Sequence, residues 1–140
     1  MRIYDCINFQ LSNVQNSVLS YFRKILLPFG VTPSQYSVLS CLWEQDLQPP
    51  SQLAQKLNLD PSTLTGLISR MEGKKLIQRQ YRQEDLRIIV IHITELGSSL
   101  QEGITKAIED ANDFVLDGIS DEEHDVLLRC FDIIQKNVQK

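Results

Sequence analysis

Residues 49–93 restrict the fold of this 140-residue chain more than any other stretch, because two short helix patterns are followed at once by two strand patterns. Pro49-Pro50 marks a turn, and Ser51-Gln-Leu-Ala-Gln-Lys-Leu57 reads as a short amphipathic helix. Asn58-Leu59 allows only a tight connection. Asp60-Pro61-Ser62-Thr63 then opens a second helix, since the aspartate can cap it and the proline suits the first helical position. This helix runs to about Lys75 and buries Leu64, Leu67, Ile68 and Met71. Two short helices joined by a turn of about three residues make a helix-turn-helix. The period changes at Leu76. Leu76–Tyr81 and Arg87–Ile93 are rich in β-branched residues, and Arg87, Ile89, Ile91 and Ile93 share one side of the second run. The short polar stretch Arg82-Gln-Glu-Asp-Leu86 joins them as a charged hairpin tip. A hairpin placed directly after the second helix is a wing, so the expected fold class is mainly α with a small β-hairpin.

The flanking segments are helical. Residues 5–27 carry Ile7, Leu11, Val14, Val18, Tyr21, Phe22 and Ile25 at helical spacing, and Pro28 and Gly30 end the run. Thr32-Pro-Ser-Gln35 is a capping box for a helix bearing Tyr36, Val38, Leu39, Leu42 and Trp43. After the wing, Thr94 caps a long helix from Glu95 to about Leu116, with Leu100, Ile104, Ala107, Ala111 and Phe114 along one stripe. Ser120-Asp-Glu-Glu123 opens a last helix with Val126, Leu127, Cys130, Phe131, Ile134 and Val138. Residues 1–140 thus read as one domain, with a winged helix-turn-helix region at 32–97 framed by helices in 5–30 and 98–140. The framing helices carry more apolar surface than a small winged domain can cover, and pairing with a second copy is the simplest remedy.

Charge agrees with a DNA-facing middle. The chain carries a net charge of −4, yet residues 50–90 hold seven basic and four acidic residues, a local +3. Residues 98–140 hold ten acidic and four basic residues, a local −6. A phosphate-facing surface needs only local positive potential. The 42% hydrophobic content suffices for a core. No run approaches the roughly 18 apolar residues of a membrane span. Met1–Asp5 meets a charge at once, without an apolar leader, so a cytoplasmic location is expected. Cys6, Cys41 and Cys130 form no Cys-x-x-Cys pair, and the last two sit in apolar runs as expected buried hydrophobes. No Ser/His/Asp group, paired carboxylates or phosphate loop suggests an enzyme, and no cofactor is expected. His124 with Asp121, Glu122, Glu123 or Asp125 is a poor metal set, because acids are favoured at a helix start anyway. His92 stands alone on its strand.

The ordered set Thr32-Pro-Ser-Gln-Tyr-Ser-Val-Leu39, Ser51–Leu57, Asp60-Pro-Ser-Thr-Leu-Thr65, Leu76-Ile-Gln-Arg79, Arg82-Gln-Glu-Asp-Leu-Arg87 and Ile93-Thr-Glu-Leu-Gly97 resembles the MarR family over essentially the whole chain. The resemblance implies a homodimeric regulator, in most cases a repressor, that binds near-palindromic double-stranded DNA. It also implies a small molecule or oxidant, acting between the dimerisation helices and the winged part, that releases the DNA. The helix over 60–75 would lie in the major groove and the wing over 76–93 in the minor groove.

Within that frame Ser62, Thr63 and Thr65 offer hydroxyls to phosphates or base edges, Gly66 permits close approach, and Arg70 reaches a phosphate or a guanine. Capping the helix is the other role open to Ser62 and Thr63, and the free N–H groups of the helix start would favour a phosphate. The resemblance places Arg87 at the wing tip, entering the minor groove with Asp85 holding it; a bare surface ion pair is the alternative. Arg79 and Arg82 are expected phosphate contacts, and Gln83 a contact or a turn residue. Tyr21, Phe22, Phe29, Tyr36 and Trp43 are candidates for an effector pocket or for ordinary core. Cys6 is the candidate for redox sensing: the hydroperoxide-sensing branch carries a reactive cysteine early in the first helix, at a position that aligns near Asn8. A winged module serving protein–protein contact is a further alternative, against which Arg82 and Arg87 speak.

Overall fold

The computed structural model describes residues 1–139. A 3-10 turn at Ile3–Asp5 leads into α1 (Ile7–Leu26), and a second 3-10 turn at Leu27–Phe29 ends in Gly30. There follow α2 (Pro33–Glu44), α3 (Pro50–Leu57), α4 (Pro61–Gly73), β1 (Ile77–Arg82), β2 (Asp85–Ile93), α5 (Glu95–Ser99), α6 (Gln101–Val115) and α7 (Asp121–Val138). Both expected capping boxes form: Thr32 and Gln35 close α2, and Ser120 and Glu123 close α7.

The core lies where α2, α3 and α4 meet the base of the hairpin. Leu39, Leu42, Leu53, Leu64, Ile68, Met71, Ile77 and Ile91 are fully or almost fully buried there, and Leu26 of α1 and Ile104 of α6 join them. The buried residues of α4 are Leu64, Leu67, Ile68 and Met71, the set its sequence period selects. Its polar side therefore faces outward.

Several expectations need correction. The helix over 95–116 is broken at Leu100 into α5 and α6. The Gly97 carbonyl, which an unbroken helix would offer to residue 101, instead accepts the Trp43 indole N–H at 3.0 Å. α6 then turns onto α1, with Phe29 seated against Gly103. The hairpin turn is only Gln83-Glu84, because a register irregularity at Tyr81/Arg82 lets Arg82 pair with Asp85. Ile89 is exposed although its sequence neighbours on that face, Ile91 and Ile93, are buried; the wing has by then run past the helices that cover its base. Cys41 is half-buried and Cys130 is exposed. In the single chain no residue of α7 is buried, so its apolar face, Cys130 included, stands open.

Candidate DNA-binding surface

The exposed start of α4 is organised around Asp60. One carboxylate oxygen caps the helix by accepting the Thr63 backbone N–H at 2.9 Å and also accepts the Ser62 hydroxyl at 2.7 Å. The other accepts the Thr63 hydroxyl at 2.8 Å. These bonds, the one from Ser62 foremost, pull the Asp60 carboxyl down to about 2. Thr65 donates its hydroxyl to the Pro61 carbonyl at 2.8 Å. Ser62 and Thr63 therefore do take part in the cap, and a carboxylate already occupies the place that the sequence left open to a phosphate. A Cβ built on Gly66 would stand 3.4 Å from a terminal nitrogen of Arg70, so this guanidinium folds back along the outer face of α4.

Beside α4 the wing presents Arg87. Its backbone N–H and its Nε each donate to Asp85 Oδ1 at 3.0 Å, and its Nη2 donates to Oδ2 at 3.0 Å. The side chain is nonetheless 91% exposed. The Arg87 guanidinium holds the Asp85 carboxyl below its ordinary range, and Asp85 in turn raises Arg87. The fork grips the carboxylate on one edge and leaves the rest of the cation facing solvent. Arg82 is half-buried next to it, and Gln83 is exposed in the turn.

Arg79 has a different setting. Its guanidinium is paired with Glu72 and lies 3.4 Å from the Ser69 hydroxyl, which ties β1 to the last turns of α4. Sequence reasoning passed over Glu72, since nothing in a seven-residue separation across a turn marks the two as partners. Replacing Arg79 with alanine should lower the melting temperature. Arg82→Ala should leave melting unchanged and reduce the log–log salt slope of DNA binding by about 1 per subunit. Melting curves and salt titrations of the two variants check the contrast.

The base of the wing is strapped to the loop after α2. Asp46 Oδ2 meets His92 Nδ1 at 2.6 Å, and Asp46 Oδ1 accepts the Ile93 N–H at 2.9 Å. The Gln48 carbonyl accepts the Ile91 N–H at 2.8 Å, and its buried side-chain amide reaches back to the Cys41 carbonyl. His92 is thus a partnered residue. On the opposite side Lys74, just past α4, donates to the Gly30 carbonyl and to Gln35 Oε1, both at 2.8 Å. α4 and the wing are thus tied to the rest of the fold by side-chain hydrogen bonds at their ends.

The five aromatics fall into three groups. Tyr36 and Trp43 stand 6.3 Å apart on α2, Tyr21 contacts Phe22 and stacks on Phe114 of α6 at 5.0 Å, and Phe29 covers Gly103. Phe22, Phe29, Tyr36 and Trp43 pack against the core at half-buried positions. Cys6 is the half-buried residue immediately before α1. Among the described residues no group of three or more His, Cys, Asp or Glu side chains is arranged to hold a metal. No single described helix is long and apolar enough to cross a membrane.

Two short helices in tandem, the second with a polar exposed face, and a cationic two-stranded wing beside it define a winged helix-turn-helix protein. The MarR family model matches residues 31–89. The organic hydroperoxide resistance transcriptional regulator of Bacillus subtilis is 31% identical over 102 residues, spanning 73% of this chain and 69% of that one. Among solved structures, CouR from Rhodococcus jostii RHA1 bound to p-coumaroyl-CoA superposes with a TM-score of 0.80 at 31% identity, covering 96% of this chain and 93% of its own. Reduced AbfR bound to DNA gives a TM-score of 0.81 at 29% identity, covering 99% and 94%. The chain belongs to the MarR family and is a sequence-specific DNA-binding transcriptional regulator.

Proposed function

We propose that two copies of this chain bind a near-palindromic operator, each with α4 in the major groove and the wing in the minor groove, and that an effector releases them. The observation that carries the reading is the Asp85–Arg87 fork, which presents an exposed guanidinium at the wing beside the polar face of α4. AbfR, similar over nearly the whole chain, is a DNA-bound relative. Ser62, Thr63, Thr65, Gly66 and Arg70 contribute from α4, and Arg82, Gln83 and Arg87 from the wing. Arg79 supports the surface through Glu72. Recognition helices of such a dimer would stand roughly 34–36 Å apart. Occupancy of a promoter-overlapping site represses, in the cytoplasm where the DNA is.

Fluorescence anisotropy with the DNA upstream of the protein's own gene, across a salt series and with random competitor, tests the reading. Saturable, competitor-resistant binding is expected. With about three phosphate contacts per subunit its log–log salt slope is on the order of −5. Binding no tighter than to random DNA, there and in a duplex selection, would instead favour a winged module for a protein partner.

The dimer rests on uncovered apolar surface. Ile7 and Val14 of α1 and Val126, Leu128, Phe131 and Ile133 of α7 are each at least 39% exposed. Ile7, Leu11 and Val14 also form one apolar groove with Leu127, Phe131 and Ile134. Such a face in one chain calls for a partner, and a second copy fits both ends of the chain at once. Phe131→Asp should shift sedimentation from dimer to monomer and reduce operator affinity with it; a variant that stays dimeric would remove α7 from the interface.

For the effector, similarity to a p-coumaroyl-CoA-bound regulator favours a small aromatic acid or its thioester, held by residues among Tyr21, Phe22, Phe29, Tyr36 and Trp43. Trp43 is the single tryptophan of the chain, so a ligand docking there changes its fluorescence. The similarity to a hydroperoxide-resistance regulator supports a second reading, oxidation at Cys6. In that case cumene hydroperoxide releases DNA from the native protein and leaves Cys6→Ser bound.

A further inference from the structure

The hydrogen bonds at the start of α4 fix which way its hydroxyl groups point their protons. A carboxylate and a peptide carbonyl can only accept, so any hydroxyl bonded to them must donate. Ser62 and Thr63 both donate to Asp60, at 2.7 and 2.8 Å, and Thr65 donates to the Pro61 carbonyl at 2.8 Å. All three side chains are exposed. What they offer outward is therefore oxygen lone pairs and, for the threonines, methyl groups. The Asp60 carboxylate adds a negative charge in the same place.

Of the groups on DNA, phosphate oxygens and the N7 and O6 atoms of purines are acceptors and need donors. The exocyclic amino groups of adenine N6 and cytosine N4 are donors, and the thymine methyl is an apolar partner. We infer that the front of α4 reads amino and methyl groups: Ser62, Thr63 and Thr65 accept from adenine N6 or cytosine N4 and the threonine methyls pack on thymine, while phosphates and purine N7 are left to other residues. Arg70, one turn further along and without a carboxylate partner among the described residues, is the donor for acceptor-rich positions. A hydroxyl that donates to a carboxylate is also polarised into a better acceptor, which reinforces the assignment. This rests on the proposed placement of α4 in the major groove and adds which base atoms it recognises there.

The test uses the full chain and a duplex selected with it from a randomised pool. Each half-site position is then replaced by an analogue. Purine for adenine and 2-pyrimidinone for cytosine remove the amino group, uracil for thymine removes the methyl, and 7-deazapurines remove N7. The expected result is a short block of positions where losing an amino or methyl group weakens binding roughly tenfold while 7-deaza substitution changes nothing. Thr65→Val and Thr63→Val, which keep a methyl and leave the Asp60 backbone cap in place, should lose sensitivity to the amino deletion within that block. A tenfold loss on 7-deaza substitution there that disappears in Thr63→Val or Thr65→Val would overturn the inference by showing that the hydroxyls donate to N7. Indifference of the native protein to every major-groove analogue would instead overturn the placement of α4 itself.

Discussion

Replacing Arg87 with alanine is expected to weaken operator binding by about ten- to a hundredfold, the loss associated with one real groove contact. The side chain reaches almost completely into solvent, yet its two hydrogen bonds to Asp85 fix its direction. An arginine so placed would enter a narrow minor groove already aimed, the ordering of its long side chain largely spent before DNA arrives. The aim depends on more than Asp85. β2 is anchored through Ile91 to Gln48 and through His92 and Ile93 to Asp46, so the strand that carries Arg87 has a fixed base. Arg87→Lys keeps the charge and loses the fork, and should recover only part of the affinity. Anisotropy titrations at one salt concentration, with melting curves to show an intact fold, make the comparison. Native affinity in Arg87→Ala would reduce the Asp85 pair to a surface ion pair of little consequence.

How far the site could be read from the sequence differs from element to element. The polar side of α4 followed from the spacing of Leu64, Leu67, Ile68 and Met71, because a helix period assigns both faces at once. The pairing of Asp85 with Arg87 was implied by the resemblance to the MarR family, and a separation of two residues along one strand lets it form. Pairs made by tertiary folding were not. Glu72 with Arg79, Asp46 with His92 and Lys74 with Gly30 join segments whose mutual position only the packed core decides. Arg79 accordingly looked like a free cation. The break at Leu100 has no mark in the sequence, since the apolar stripe from Leu100 to Phe114 keeps its helical period while the Gly97 carbonyl beside the break is bonded to Trp43, 54 residues earlier. Exposure of Cys130 has yet another origin: the sequence pattern registers an apolar face without saying whether the same chain or another covers it.

Gly97→Ala is expected to destabilise the protein by about 3 kcal/mol, an overpacking cost at the upper end of the usual range. An added Cβ would stand 2.4 Å from the Leu76 carbonyl oxygen and 2.7 Å from Ile93 Cγ1. The first of these is backbone, and it cannot swing aside as a side chain would. The Leu76 oxygen also accepts from the Thr94 backbone N–H and hydroxyl, and the Thr94 hydroxyl caps α5 through the Gly97 N–H. Relief of the clash must therefore move the start of β1, the end of β2 or α5. A shift of α5, the element that carries the added Cβ, disturbs the Trp43 indole bond to the Gly97 carbonyl. A melting temperature lower by roughly 10 °C at matched protein concentration is expected. A shifted Trp43 emission should accompany it, because the indole loses its carbonyl partner. Gly73→Ala supplies the control: nothing lies within 4 Å of its Cβ position, and it closes α4, where alanine is the better helix former. That variant should melt at or slightly above the native temperature. Since Gly97 joins the wing to the helices that frame the winged region, the same variant should lose operator affinity beyond its loss of stability. Equal melting for Gly97→Ala and the native protein would mean that the hairpin and α5 slide past one another freely, and a wing so loosely seated could not hold Arg87 in register with α4.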